Sequence, residues 1–386
     1  MEEVFIEAIT VYKARNLVDF DIPLSETERK HLIITGKNGS GKTSLLNELK
    51  KFLNVIPANV TKLISRDSEL SSGATYREAF GGTDIRLKHF FFSSDYFQKG
   101  NFLLAFFEAK RNISFNEPNG VNAIRLKPAY GLTEFAAQDF IQYIVNLKAD
   151  RSFAKDDNDL KTATKIDEWF ESFEKSLFSL FDSPDIQLNF DRKNYNFNIT
   201  EAGKEPYTFN QLSGGYAAIL SIVTELILRM EEHRSKSYDV EGVVLIDEIE
   251  THLHIDLQKK ILPFLTSFFP KIQFIVTTHS PFVLNSIDNA VICDLEKKIV
   301  TTDLSGYSYD TLIESYFGSD KYSDLLKQRV ERYEILIDKN ELTEAERDEL
   351  FDTKKYLKEI PKFMSDELAV KLQQIKLKEL SKRETA

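Results

Sequence analysis

Gly36-Lys37-Asn38-Gly39-Ser40-Gly41-Lys42-Thr43 is the stretch whose reading decides the fold. It fits the pattern G-x-x-x-x-G-K-[ST], a loop that cradles phosphates. Before it, Leu32–Thr35 is a short apolar run that suits a buried strand, and after it Ser44–Leu49 reads as a helix. The physical logic is local. The glycines of the cradle, with Asn38 and Ser40 between them, let the backbone turn tightly and aim N–H groups inward. Lys42 adds a point charge for the β- and γ-phosphates, and Thr43 offers a hydroxyl to Mg²⁺. The N-terminus of the following helix also favours an anion. At ordinary Gly, Lys and Ser/Thr usage, a chance match in a chain this long has a probability of about 1%.

The whole chain sets the frame. Its 386 residues exceed one typical domain, so one large domain with an insertion or appendage is expected. The net charge of −11 argues against a uniformly basic nucleic-acid coat but leaves room for a local basic groove. Cys293 is the only cysteine, which excludes disulfides within the chain and a cysteine zinc site. Met1-Glu2-Glu3 is acidic and lacks a secretory apolar region, and no apolar run approaches the ~18 residues of a membrane span. A cytoplasmic protein is expected.

Val4–Tyr12 and Leu17–Ile22 predict two strands joined at Arg15-Asn16. The phosphate-loop helix is expected to end near Asn54, with Pro57 as a stop. Further on, Ile85–Phe92 reads as a strand, Leu132–Leu147 as a helix and Ser152–Asp159 as a charged loop. Ile166, Trp169, Phe170, Phe173, Leu177 and Phe181 recur at helical spacing and predict a core-facing helix ended by Pro184. Ile186–Phe190 and Tyr195–Ile199 predict a β-hairpin.

Three later stretches carry chemistry. Ser213-Gly214-Gly215 opens a strongly apolar helix, so its N–H groups and the Ser213 hydroxyl could meet an anion. Alone, Ser-Gly-Gly is an ordinary turn. Val243–Ile246 is a buried strand ending in Asp247-Glu248, at the end where open α/β sheets bind ligands. Asp247 suits Mg²⁺ and Glu248 suits an attacking water, although an Asp-Glu pair can equally cap the next segment. Ile272–Val276 is a third buried strand, ending in Thr277-Thr278-His279-Ser280-Pro281. There His279 could bond a γ-phosphate or remain structural. His252 and His254, two apart, lack the i, i+4 spacing of a helical zinc pair and read as structural or dimer-contact residues. In the tail, Thr343 and Glu346 form a capping box, and Pro361 precedes a basic amphipathic helix with Leu368, Leu372 and Ile375 on one face and Lys371, Lys376, Lys378, Lys382 and Arg383 among its charges.

The fixed order of these four signals resembles an ABC-type ATPase, within it the soluble SMC, RecF and OLD-like branch. Members of that branch often appear as AAA-family ATPases in bacterial anti-phage systems such as Septu, PARIS and retrons. The likeness covers roughly residues 1–60 and 205–300 and includes Glu250-Thr251-His252-Leu253-His254. It implies an α/β head with a mixed or parallel sheet, ATP and Mg²⁺ as nucleotide and metal, and two heads closing on ATP. It further implies that Lys42 and Thr43 hold phosphate and metal, Asp247 the metal, Glu248 the water and His279 the γ-phosphate, with Ser213, Gly214 and Gly215 acting on the other subunit's ATP. Tyr216 stands where many relatives have glutamine. The family's metal-contacting glutamine is assigned to Gln98.

The resulting map places an ATPase head at 1–57 and 205–305, a largely helical insertion at 58–204, and a helical tail at 306–386 for partner or oligomer contacts. The leading function is an ATP-driven switch that controls a partner effector, a nuclease, in a DNA-directed defence or repair complex. The alternatives are a RecF-like repair ATPase that holds DNA itself and the ATPase subunit of a membrane transporter. No histidine follows His279 and the tail has no Asp-x-Asp pair, so cutting is expected from another chain.

Overall fold

The computed structural model describes residues 3–57, 82–111, 113–183, 185–234, 239–302, 304, 306–312, 324–339, 341–359, 373–375 and 377. Pro184, Pro361, Leu368, Lys371, Leu372, Lys376, Lys378, Lys382 and Arg383 lie outside them. The chain divides into two compact units, Met1–Tyr307 and Ser308–Ala386.

The first unit is built on β1 (Ile6–Ala14), β2 (Leu17–Pro23), β3 (His31–Thr35), α1 (Lys42–Leu53), β4 (Thr83–Leu87), α2 (Phe90–Gln98) and β5 (Phe102–Phe107). Then come α3 (Phe140–Asp156), α4 (Leu160–Phe181), β6 (Gln187–Asp191), β7 (Asn196–Thr200), β8 (Tyr207–Thr208) and α5 (Gly214–Arg234). It closes with β9 (Glu241–Ile246), α6 (Ile255–Phe268), β10 (Ile272–Thr277), α7 (Pro281–Leu284), β11 (Ala290–Asp294) and β12 (Ile299–Thr302). A six-stranded sheet has the order β12-β11-β3-β10-β9-β5 and is parallel except for the β11/β12 pair. Its inner strands are apolar on both faces, as a covered parallel sheet requires. One face packs Leu32, Ile34, Leu104, Val243, Leu245 and Ile275 into a core with Leu45, Leu46 and Leu49 of α1. The same core takes Ile9 and Val11 of the separate antiparallel sheet β2-β1-β4. Gln273, fully buried in β10, ties the two sheets. Its Oε1 accepts from Ile6 N–H at 2.7 Å, while its Nε2 donates to Ile6 O at 3.0 Å and Lys30 O at 2.7 Å.

The structure redraws the expected insertion. β4 pairs with β1, and β5 is the edge strand of the main sheet beside β9. Residues 83–107 thus contribute strands to both sheets of the first unit, and the described part of the 58–204 segment is not uniformly helical. The strand expected over Ile85–Phe92 stops at Leu87, and α2 begins at Phe90. Helix α3 begins at Phe140 rather than Leu132, because Leu132 O accepts from Phe106 N–H of β5 at 2.9 Å. The Ser152–Asp159 loop shrinks to Asp157–Asp159: α3 continues through Asp156, and Asp159 caps α4 by accepting from Thr162 N–H. The aromatic stripe of α4 is core, with Trp169 stacked on Phe173 at a centroid distance of 5.4 Å. The β6/β7 hairpin pairs with β8 to form a third small sheet.

A buried ion pair fixes α5 to this frame. Glu225 is fully buried and Arg229 nearly so, and they meet at 2.7 Å. Glu225 Oε2 also accepts from Ala136 and Ala137 N–H, and Arg229 donates to the carbonyls of Leu104, Gly131 and Glu134. Arg229→Ala leaves a buried carboxylate without its cation and should cost about 3–5 kcal/mol of stability. Denaturant unfolding reads this directly, and a loss under ~1 kcal/mol would mean that the pair is not desolvated as described.

In the second unit, α8 (Tyr309–Thr311) precedes α9 (Asp324–Asp338) and α10 (Glu344–Glu359). Val330, Tyr333, Ile337 and Ile375 form its core, and Arg332 forks onto Glu349 at 3.0 and 2.8 Å. The capping box is formed: Glu346 N–H donates to Thr343 Oγ1 at 3.3 Å and Thr343 N–H to Glu346 Oε2 at 3.1 Å.

Candidate active site

Because β3, β10, β9 and β5 are neighbours and parallel, their C-terminal ends share one edge of the sheet. Four polar segments therefore converge there: the loop after Thr35, Thr277–His279, Asp247-Glu248 and Glu108–Arg111.

The phosphate loop has positive φ at Gly36 (133°), Gly39 (83°) and Gly41 (103°), a backbone open to glycine and strained for other residues. Gly41 is the N-cap of α1 and offers no side-chain acceptor to its first N–H groups. Lys42 is 5% exposed, and its Nζ donates to Gly36 O at 2.7 Å and Lys37 O at 3.1 Å. Burial pulls its pKa down, opposed by the charges of Glu248, Glu250, Asp247 and Asp294. Ser40 Oγ is buried with no hydrogen-bond partner. An uncapped helix start, a buried lysine and an orphaned hydroxyl in one loop fit a phosphate group.

The carboxylates are held through Thr277. Asp247 Oδ1 accepts from Thr277 Oγ1 at 2.5 Å and from Thr43 Oγ1 at 3.3 Å. The Thr277 hydroxyl in turn accepts from Glu248 N–H at 2.7 Å. Glu248 has φ 43°, a left-handed backbone that costs roughly 1–3 kcal/mol outside glycine. Its Oε2 accepts from Thr251 Oγ1 at 3.2 Å. His279 N–H donates to Glu250 Oε1 at 2.6 Å, and Glu250 Oε2 is buried without a partner. Burial first, then the charge of Lys42, lowers the His279 pKa from its ordinary value, which favours the neutral imidazole. Among the described residues no group of three His, Cys, Asp or Glu side chains forms a metal cage. The Thr43–Asp247 pair fits Mg²⁺ nonetheless, since that ion commonly binds through one or two carboxylates, water and substrate phosphates.

The structure thus gathers Lys42, Thr43, Asp247, Glu248 and His279 at one sheet edge, and with them three residues that were given no role above: Thr277, Glu250 and Arg111. Arg111 follows β5, is 7% exposed and donates to Asp247 O at 2.7 Å and Glu248 O at 2.9 Å. Burial lowers its pKa to about 10, against the raising charges of Glu250, Asp247 and Glu248, so it stays cationic at pH 7. The legible signal was present: Phe102–Phe107 is a third apolar run that ends, like β9 and β10, in a polar cluster.

Gln98 is a correction. It ends helix α2, is exposed, and its Nε2 donates to Pro57 O at 3.1 Å. The strand before α2 is β4 of the antiparallel sheet, so Gln98 does not follow a strand of the sheet whose edge carries Thr43 and Asp247.

Ser213 and Gly214 are exposed at the start of α5. Gly215 is buried, and a Cβ there would lie 3.1 Å from His252 O and 3.2 Å from Leu257 Cδ1, so a side chain would press on the turn after β9. These three residues line a cavity of about 550 Å³ with Tyr216, His252 and Lys260; the phosphate-loop residues and carboxylates described above are not among its walls. His252 and His254 are both exposed, and His254 Nδ1 lies 3.3 Å from Asp256 Oδ2. Tyr216 stacks on Phe181 at 4.0 Å, joining the end of α4 to the start of α5.

Residues 86–284 match the family described as an AAA ATPase domain. The chain is similar to the Septu protein PtuA of Bacillus mycoides (strain KBAB4), with 34% identity over 148 residues, 36% of this chain and 21% of that protein. It is also similar to the Retron Ec83 probable ATPase of Escherichia coli, with 38% identity over 130 residues, 31% of this chain and 24% of that protein. The matched segment therefore spans about a quarter or less of either relative's length. Among solved structures, an SMC head bound to the C-winged helix domain of ScpA aligns with 78% of this chain and 99% of its own at a TM-score of 0.40 and 14% identity. No helix among the described residues is long and apolar enough to cross a membrane.

Proposed function

This chain belongs to the AAA ATPase domain family, and from that premise we propose that it is an ATP-hydrolysing switch whose heads pair on ATP and control a separate effector, a nuclease, in anti-phage defence. The observation that carries the reading is the convergence of Lys42, Thr43, Asp247, Glu248 and His279 at one sheet edge, with Ser213 and Gly214 exposed on a different pocket that Gly215 also lines. In this reading the loop N–H groups and Lys42 bind the phosphates, and His279 donates to the γ-phosphate. Glu248 accepts a hydrogen bond from the attacking water and polarises it. Mg²⁺ held by Thr43 and Asp247 supplies charge neutralisation at the phosphates. Ser213–Gly215 serve the site of the facing head, and the exposure of Ser213 and Gly214 suits that role better than contact with Lys42 would. The effector and the defence setting rest on the resemblance to the Septu and retron proteins.

The test uses two dead variants. Ser213→Arg places a bulky cation where the facing head's γ-phosphate would sit, so it should bind ATP and fail to hydrolyse it. In a mixed dimer with Glu248→Gln, one site joins intact Glu248 to intact Ser213 and the other carries both substitutions. Mixing should restore part of the activity, up to about one site's worth per dimer. No recovery, with mixed dimers demonstrated, would place Ser213 in cis or require both sites to fire together.

A further inference from the structure

The turn that carries the two carboxylates points three successive main-chain carbonyls the same way. Arg111 meets all of them: Nη1 donates to Asp247 O at 2.7 Å, and Nη2 to Glu248 O at 2.9 Å and Ile249 O at 3.1 Å. Nη1 also donates to Glu108 O at 3.1 Å, which anchors the guanidinium to its own segment. Parallel carbonyl dipoles repel, and buried acceptors without donors are costly, so a forked cation is what lets this turn persist. The same turn holds Glu248 at φ 43°.

We propose that Arg111 is a positioning residue for hydrolysis: its fork on the carbonyls of Asp247, Glu248 and Ile249 sets the left-handed backbone that aims the Glu248 carboxylate. The proposal rests on the reading of Glu248 as the residue that polarises water. Other elements fix the turn from the far side: Glu248 N–H bonds Thr277 Oγ1, and Ile249 N–H bonds Thr277 O at 3.0 Å. Without Arg111 the turn keeps its Thr277 hinge and loses the clamp that sets its direction. Lys42 bonds loop carbonyls rather than Arg111, and Asp247 meets Arg111 through its main-chain carbonyl while its carboxylate faces Thr43 and Thr277. Nucleotide affinity should therefore survive while the chemical step slows.

The experiment uses the full chain with Mg²⁺, turnover at saturating ATP, and titration with a fluorescent ATP analogue. Arg111→Ala should lower turnover about 100-fold, the order expected when a reacting group is misplaced by about 1 Å, with analogue affinity unchanged within about threefold. Arg111→Lys keeps the charge but lacks the planar fork, so it should remain at least about tenfold slow. Millimolar guanidinium should restore part of the turnover of Arg111→Ala and none of that of Glu248→Gln. Wild-type turnover in Arg111→Ala, a parallel loss of affinity and turnover, or full recovery by lysine would each overturn the assignment. If Glu248→Gln hydrolyses ATP normally, the premise itself fails. A slow Glu248→Gln beside a fast Arg111→Ala refutes Arg111 alone.

Discussion

Glu248→Gln is expected to slow ATP turnover by about 10²–10⁴-fold, the usual contribution of a positioned general base, while ATP and Mg²⁺ still bind. The geometry explains the separation. Glu248 is anchored through its backbone, with N–H on Thr277 and carbonyl on Arg111, and those contacts ignore the side-chain substitution. Its side chain accepts from Thr251 Oγ1, which a glutamine oxygen can also do. What disappears is the negative charge facing the water. With chemistry blocked, the binding free energy of ATP between two heads keeps them together, so a long-lived larger assembly should elute with ATP and Mg²⁺. Asp247→Asn should behave differently, because Asp247 Oδ1 accepts from both Thr43 and Thr277, and weakening that carboxylate loosens the metal site and assembly together. Light scattering after gel filtration, run beside phosphate release, separates the outcomes. Normal hydrolysis removes Glu248 from the chemistry. A dead enzyme with no ATP-dependent change in size keeps Glu248 and discards the pairing of heads.

Lys42→Ala acts earlier. The ammonium is nearly buried and already bonded to two loop carbonyls, so it is preset over the loop rather than recruited from solvent. Charge-assisted bonds of this kind contribute about 1.5–3 kcal/mol each. Its removal should weaken ATP binding by roughly 100-fold or more and abolish turnover at ordinary ATP concentrations. Calorimetric titration with ATP measures the first and phosphate release the second. Wild-type-like turnover in the purified variant would sink the phosphate-loop reading.

How much of this was legible in the chain depends on distance along it. The phosphate loop, the Asp247-Glu248 strand end and the His279 strand end are each written within about ten residues, and short-range chemistry suffices to read them. Phe102–Phe107 has the same form, yet its place in the sheet depends on pairing with β9, more than a hundred residues later. Arg111 inherits that obscurity, since its carbonyl partners lie 136 to 138 residues away. Gln98 was misplaced for a different reason. Ile85 to Phe92 is apolar in a way that fits either period, and three consecutive phenylalanines start a helix there rather than extend a strand.

Gln273 carries a consequence for how the chain comes into being. The main-chain groups of Ile6 find their amide partner 267 residues later. At ribosomal speeds of about 5–20 residues per second, roughly 15–50 s separate the emergence of the two. Throughout that interval the first strands can pair with each other, but the sheet they lean on lacks β10, and for most of it the phosphate loop also lacks Asp247, Glu248 and Glu250. A newborn chain therefore holds a finished nucleotide loop long before it holds anything able to use it. Closure of the β2-β1-β4 sheet onto the main sheet and assembly of the edge that carries Asp247, Glu248 and His279 belong to the same late event.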